Sequence, residues 1–378
     1  MKKIRICHFI LGFHNGGVEK VLESYFSNMD RSNFELHVVT HIPPDTKRQQ
    51  IFEEMGFIVH PLSYVHGHKI TMQNLQEYNE FFQKNQFDIV HNHFPENLLP
   101  LIFAKKYKVP VRILHSHNDY TNVFKEKSKL IKCLYQMGLK VNVHNATDYF
   151  ACGLTAGESV FGKKNCKNIV IIANAINTQK FKYNPEKRQE LRKKLCLEKA
   201  FVLGHIGRYE DIRQKNQKFV LKIFNEVLKT EPATRLLMIG DGKFRPQIME
   251  LAKRMGIIDK IIFTGAIPNV HEYLQTFDVF VFPSNFEGLG IVAIEAQCSG
   301  LPVIASSVIP QEANISPNYY SLSLLAPVNE WAKLVLEQLE KKRSDCSELV
   351  KNEGYDIYKE AVKLEKLYEQ LYQKHIER

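Results

Sequence analysis

The chain has 378 residues, a length that corresponds to about two to three domains. Its 44% hydrophobic and 24% charged residues exclude a disordered, collagenous or coiled-coil chain, and no run approaches the ~20 consecutive apolar residues that span a bilayer. A net charge of +10, from 51 Lys and Arg against 41 Asp and Glu, points to anionic partners: nucleic acid, phosphorylated small molecules or an acidic membrane surface.

The first residues, Met1 to His8, start like a basic leader, but Arg5 and His8 interrupt the apolar run and Gly12 ends it, which argues against a signal peptide. Short apolar, β-branched runs then alternate with longer helical patterns. Strands are predicted at Lys3–Leu11, Phe34–Thr40, Phe57–His60, Phe87–His91, Val111–His115 and Tyr149–Gly153, with helices at Gly17–Met29, Met72–Asn85 and Glu96–Tyr107 among them. An apolar strand at Asn168–Ile172 and a helix-prone stretch at Glu186–Leu195 flank a short junction near Asn174–Asn177. A second series follows: strands at Phe201–Ile206, Arg235–Ile239, Lys260–Thr264, Val279–Pro283, Pro302–Ser306 and Tyr320–Leu324. The helices between them are Asn216–Leu228, Arg245–Met255, His271–Phe277 and Leu289–Ser299. Such alternation makes βαβ units and parallel sheets. The expected organisation is therefore two doubly wound α/β domains, 1–175 and 176–355. The tail 356–378 is one amphipathic helix with Ile357, Val362, Leu364, Leu367 and Leu371 as its apolar positions. Seven cysteines, odd in number and without a Cys-x-x-Cys, fit neither a disulfide framework nor a zinc site and suit a reducing cytosol.

Ligands of open α/β sheets bind beyond the carboxyl ends of the strands, so the strand-end loops are where chemistry is to be sought. After the strand ending near Pro283 come Phe286, Glu287, Gly288, Leu289 and Gly290, then Glu295. With a helix starting near Gly288–Leu289, Glu287 stands at its mouth and Glu295 two turns in. Gly288 and Gly290 let helix-start N–H groups approach an anion. Two carboxylates there suit sugar hydroxyls on either side of a phosphate. The plain alternative is a helix-dipole acid and a solvated glutamate. Gly207-Arg208 follows another strand, with Arg213 and Lys215 close behind; an arginine can fork onto phosphate oxygens and a lysine adds a point charge, and a solvated basic loop is the alternative. Gly16-Gly17 precedes a helix and permits close backbone approach. His91 and His93 end one strand and His115 and His117 another, which leaves metal binding open beside structural hydrogen bonding. Lys125–Val143 carries five lysines, one acid and apolar residues at helical spacing. It reads either as a membrane-surface helix or as a core-packing helix with a solvated face.

Glu287 to Glu295 resembles the Glu-x7-Glu pattern of retaining glycosyltransferases with the two-Rossmann GT-B fold, family 4 in particular. Leu236–Gly242, Ile262–Gly265, Asp278–Ser284 and Gly300–Ser306 resemble that family in order and spacing. The sequence is most similar to bacterial enzymes that build capsule or exopolysaccharide. The resemblance implies two Rossmann-like domains facing across a cleft, an acceptor-binding first domain, a nucleotide-sugar-binding second domain and a final helix crossing back to the first. It implies sugar transfer with retention from a nucleotide-sugar, UDP being the choice, to a glycan or lipid-linked acceptor. Catalytic roles fall to Glu287, His117, Arg208 and Lys215. Donor contacts fall to Gly16, Gly17, Arg208, Lys215, Gly240, Ile267, Phe286, Glu287, Gly288, Leu289, Gly290 and Glu295.

Against the family pattern, His115 occupies the position of a Thr, which selects His117 over His115. The Arg208–Lys215 spacing runs about two residues long, so Arg213 competes with Lys215. No Asp-x-Asp occurs, so no metal and no other cofactor is expected. The protein is expected in the cytoplasm, peripheral at the inner face of an anionic membrane, and not on nucleic acid, since no basic aromatic surface motif occurs. A sugar-nucleotide epimerase or an inverting transferase on the same architecture, and a non-catalytic nucleic-acid-binding or regulatory partner, are the rival readings. Ala175, where the family often has Gly, and the altered Arg208–Lys215 spacing are the departures that favour a regulatory partner.

Overall fold

The computed structural model describes residues 2–13, 17–41, 46–63, 70–123 and 128–376. They divide into two units, one of Met1–Ala175 with Ile357–Arg378 and one of Ile176–Asp356.

The first unit is built on seven parallel strands: β1 (Ile4–Phe9), β2 (Phe34–Thr40), β3 (Phe57–Pro61), β4 (Ile89–Asn92), β5 (Val111–Ser116), β6 (Asp148–Ala151) and β7 (Ile169–Ile171), in the order β3-β2-β1-β4-β5-β6-β7. Helices cover both faces, so the central strands are buried whole; all of β4 is buried. The strand order reverses between β1 and β4, which opens a crevice at the ends of those two strands. The final helix, Ile357–Ile376, belongs to this unit. Ile357, Ala361, Leu364, Tyr368 and Leu371 pack into the cluster that holds Ile6, Phe26, Phe34, Ile89 and Ile113. Burying a large apolar side chain of this kind contributes roughly 1.5–3 kcal/mol. The predicted face holds at Ile357, Leu364 and Leu371, with Leu367 partly covered; Val362 is exposed instead, and Ala361 and Tyr368 join the core. The tyrosine makes that face amphipathic in a way that apolar counting overlooks.

The second unit has six parallel strands: β8 (Val202–Ile206), β9 (Arg235–Ile239), β10 (Ile261–Gly265), β11 (Val279–Phe282), β12 (Val303–Ser306) and β13 (Tyr319–Leu322), in the order β10-β9-β8-β11-β12-β13. Its switch point lies between β8 and β11. Helices Gln217–Val227 and Val328–Leu339 bring Trp331 edge-on to Phe219, with ring centroids 5.5 Å apart. The indole N–H donates to the Ser323 carbonyl at 3.2 Å. At the base of the sheet, Asp278 is gripped by Arg188 at 2.5 Å and Arg192 at 3.0 Å, which ties the helix Pro185–Lys194 to the start of β11.

Several elements differ from the sequence expectation. His271–Phe277 divides into a short α-helix, Val270–Tyr273, and a 3₁₀ turn, Leu274–Thr276. Helices Thr46–Glu54, Leu154–Phe161 and Val328–Leu339 stand where the sequence pattern predicts none. The helix after β11 begins only at Ile291, because Gly290 precedes it with φ +82°, a left-handed conformation that cannot continue a helix. Glu295 is consequently one turn into that helix rather than two. Among the described residues no helix is long and apolar enough to cross a membrane.

Candidate functional site

The loops that end β8, β9 and β11 are laced together by their backbones. Gly207 N–H donates to the Ile239 carbonyl at 2.9 Å, and Tyr209 N–H to the Asp241 carbonyl at 2.8 Å. Gly240 stands beside them with φ +135°, and a Cβ there would lie 2.0 Å from the Gly207 carbonyl oxygen. No other residue fits. Across the switch point, Asn216 adopts a left-handed conformation and donates from Nδ2 to the Pro283 carbonyl at 3.1 Å. Asn285 donates from its backbone to Gln214 at 2.9 Å and from Nδ2 to the Arg213 carbonyl at 2.6 Å. Gln217 closes the loop with a 3.0 Å bond to the Arg208 carbonyl.

This lacing aims one cation at one carboxylate. Lys215 Nζ donates to Glu287 Oε1 at 2.6 Å, and the two side chains are only 12% and 8% exposed. The ammonium also lies 5.0 Å from the centre of the Phe282 ring, a cation–π position. Arg213 is different: its side chain is 60% exposed and pairs with Asp211 at 3.4 Å. Arg208 is exposed on the same loop. Phe286, Gly288 and Glu295 are half-buried, while Leu289 and Gly290 are buried beneath them, and a Cβ at Gly290 would meet the Phe282 ring at 3.1 Å. Ile267 is half-buried in the loop after β10. The structure thus brings Lys215, Glu287 and the Gly288–Gly290 turn together and leaves Arg213 pointing away.

One buried group here carries no sequence motif. His205, on β8, donates from Nδ1 to the Val281 carbonyl at 2.9 Å, and its Nε2 has no partner among the described residues. Burial holds its pKa down at about 4, so the ring is neutral. It lies against the Gly207 turn, where a Cβ at Gly207 would approach His205 Nε2 to 3.2 Å and Lys215 Cγ to 2.8 Å.

In the first unit, Gly17 is the exposed first residue of the helix Gly17–Ser27, and a Cβ there would meet nothing within 4 Å. Gly16 lies outside the described residues. At the switch point, five histidines from β1, β4 and β5 and from the turns just after β4 and β5 form hydrogen-bonded ladders. His8 Nδ1 meets His93 Nε2 at 3.0 Å, and His93 Nδ1 meets His117 Nε2 at 2.9 Å. His91 Nε2 meets His115 Nδ1 at 3.1 Å, and His91 Nδ1 meets the Tyr368 hydroxyl at 2.8 Å. Burial lowers all five pKa values, to about 3 for His8 and His117, so the ladders are uncharged at neutral pH. His115 is fully enclosed, whereas His117 is half-buried at the strand end. His8 and Tyr368 join this group only because β1 pairs with β4 and the final helix returns, and neither adjacency is written in the local sequence.

The helix Lys129–Asn145 buries Leu139, Asn142 and Asn145. Leu130, Ile131, Leu134, Met137 and Val141 are exposed on the same helix, interspersed with Lys129, Lys132 and Lys140 and with no acid in the helix. Lys125, Glu126 and Lys127 lie outside the described residues.

Comparison with known proteins agrees with this architecture over both units. Residues 200–340 match the family model described as glycosyl transferases group 1, and residues 15–180 match the model of glycosyltransferase family 4. The chain belongs to the GT-B glycosyltransferases of the family 4 type. This glycosyltransferase is 29% identical over 364 residues to EpsF of Bacillus subtilis (strain 168), whose name places it among the glycosyltransferases, covering 93% of each chain. It is 23% identical over 386 residues to the Escherichia coli UDP-Gal:alpha-D-GlcNAc-diphosphoundecaprenol alpha-1,3-galactosyltransferase, covering 97% of each. Its fold superposes on the crystal structure of Anabaena Alr3699/HepE in complex with UDP with a TM-score of 0.72, at 17% identity and 99% coverage of both chains.

Proposed function

We propose that this glycosyltransferase moves a sugar from a UDP-sugar to a glycan or lipid-linked acceptor in bacterial surface polysaccharide synthesis, with retention at the anomeric carbon. The observation that carries the reading is the buried Lys215–Glu287 pair at the switch point of the second unit, beside the turn Gly288–Gly290. A cation, a carboxylate and a glycine turn at the mouth of a helix are what a nucleoside diphosphate bearing a sugar requires. The phosphates take Lys215, Arg208 and backbone N–H groups, and the sugar hydroxyls take Glu287. Glu295 serves the ribose; Gly240, Ile267, Phe286 and Leu289 shape the pocket. Gly16, Gly17 and the neutral His117 serve from the first unit. The UDP choice is supported by the donor named for the Escherichia coli relative and by the UDP of the HepE complex.

In the reaction the bond from the anomeric carbon to the diphosphate oxygen breaks, and the acceptor oxygen bonds to that carbon on the same face. The acceptor proton passes to a leaving phosphate oxygen. Arg208 and Lys215 offset the negative charge that develops there. As Lys215 turns to the phosphate, Glu287 is released to the sugar. No metal is needed in this scheme. The exposed apolar and lysine-bearing face of helix Lys129–Asn145 suits an anionic membrane, where a lipid-linked acceptor resides, and would hold a cytoplasmic enzyme at the inner face.

A thermal-shift panel of UDP-, GDP- and ADP-sugars tests the donor assignment. One UDP-sugar is expected to raise the melting temperature selectively, because a ligand that binds only the folded state stabilises it by mass action. Selective stabilisation by GDP- or ADP-sugars would overturn the UDP choice. Product analysis by anomeric NMR separates retention from inversion or epimerisation.

A further inference from the structure

The histidine ladders of the first unit end in nitrogens that have nothing to bond. His8 Nε2 and His115 Nε2 are buried and have no hydrogen-bond partner among the described residues. A neutral imidazole carries one N–H and one lone pair. If the Tyr368 hydroxyl donates to His91, His91 donates to His115, and His115 Nε2 is left with a buried hydrogen and no acceptor. If the ladder runs the other way, His115 Nε2 presents a bare lone pair. That second arrangement is the one that ligates metal.

We propose that His93, His115 and His117 bind a divalent transition-metal ion of the zinc class, with water completing the shell. One ring nitrogen from each of the three lies within 4.8 Å of the others. Tetrahedral zinc–nitrogen bonds place ligand nitrogens about 3.3 Å apart, and the His93 and His117 nitrogens already stand 2.9 Å apart. Three imidazoles without a carboxylate select zinc, cobalt or nickel over magnesium.

The supporting groups are also in place. Metal-ligating histidines usually donate their other N–H to a fixed partner. Here His93 Nε2–H reaches His8 Nδ1 at 3.0 Å, and His115 Nδ1–H reaches His91 Nε2 at 3.1 Å. His91 Nδ1–H then reaches the Tyr368 oxygen at 2.8 Å. With the metal bound, both ladders run in one direction and the lone pair of His115 is used. A second trio, His8, His91 and His93, also gathers its nitrogens. All three of its members are buried, whereas His117 is half-exposed and gives an ion a way in. All three ligands belong to the first unit, and the metal proposal does not rest on the transferase reading.

The test uses the full chain, stripped with chelator and desalted. Zinc chloride is titrated against a chromophoric indicator, and cobalt chloride is followed by visible absorption. One zinc per chain and the d–d bands of tetrahedral cobalt are expected. His117→Ala should weaken zinc binding about 100-fold and Tyr368→Phe about tenfold, while His144→Ala, on an exposed helix position, leaves it unchanged. His117→Cys should keep the metal and add a thiolate–cobalt charge-transfer band, which decides the matter even if the alanine variant fails to fold. Absence of stoichiometric binding by the wild type, or absence of that band, overturns the proposal. Loss of binding in His8→Asn with wild-type binding in His117→Ala also overturns it, by moving the ion to the other trio.

Discussion

Removing the ammonium of Lys215 should cost stability as well as donor affinity. At 2.6 Å the pair attracts by about 6 kcal/mol at an effective dielectric of 20, most of which offsets the desolvation of two nearly enclosed charges. Lys215→Met leaves the Glu287 carboxylate, 8% exposed, without its cation. The expected loss is about 2–4 kcal/mol, which lowers the melting transition of the second unit by about 4–15 °C. Glu287→Gln keeps an acceptor for the ammonium and should cost less. The double variant should recover much of the loss, with a coupling energy of about 1.5–3 kcal/mol. Differential scanning calorimetry without ligand, and again with UDP, measures both. UDP should protect the wild type more than Lys215→Met, since the phosphate and Glu287 share the same cation. Single variants within about 0.5 kcal/mol of wild type, or no coupling, would refute the claim that these loops are assembled around this pair.

Glu287→Ala should cut turnover by about 10²–10³-fold while circular dichroism stays unchanged; wild-type turnover would remove Glu287 from the site. Transfer activity should survive chelation followed by desalting; loss that magnesium or manganese restores would show that the diphosphate needs a bridging ion. The first unit should weaken in acid. The pKa of folded His8 is about 3, below the unfolded value of about 6.5, so the unfolded chain binds more protons as the pH falls. Stability is full above about pH 6.5 and is lost toward pH 3, by about 2 kcal/mol for His8 at pH 5; pH-dependent urea melts that stay flat from 7 to 5 would contradict the neutral ladder. The chain should sediment with vesicles of anionic lipid at low salt, and Leu134→Asp with Met137→Asp should abolish this; equal sedimentation of the double variant would place membrane contact elsewhere.

What could be read from sequence was local. The strands β2 and β9 and the helix Arg245–Arg254 match their predicted bounds closely, because each pattern is carried by its own segment. The helix Thr46–Glu54 carries only Ile51 and Phe52 as apolar residues, too few to set a period. The start of the helix at Ile291 depends on the handedness of Gly290, which sequence does not specify. The competition between Arg213 and Lys215 is a matter of loop geometry. Asn216 and Asn285 tie that loop to the end of β11 so that Lys215 turns inward and Arg213 outward, and that tie is a contact between distant segments. His205 and His8 escape for a related reason: each matters through a neighbouring strand, and strand order is a property of the whole unit.

The most direct measurement of the central claim is isothermal titration of UDP into the wild type, Lys215→Ala and Arg213→Ala. The account predicts that Lys215→Ala raises the dissociation constant by about tenfold or more, the loss of one charge-assisted phosphate contact, and that Arg213→Ala leaves it unchanged. Wild-type UDP affinity in Lys215→Ala, or a loss confined to Arg213→Ala, would contradict it.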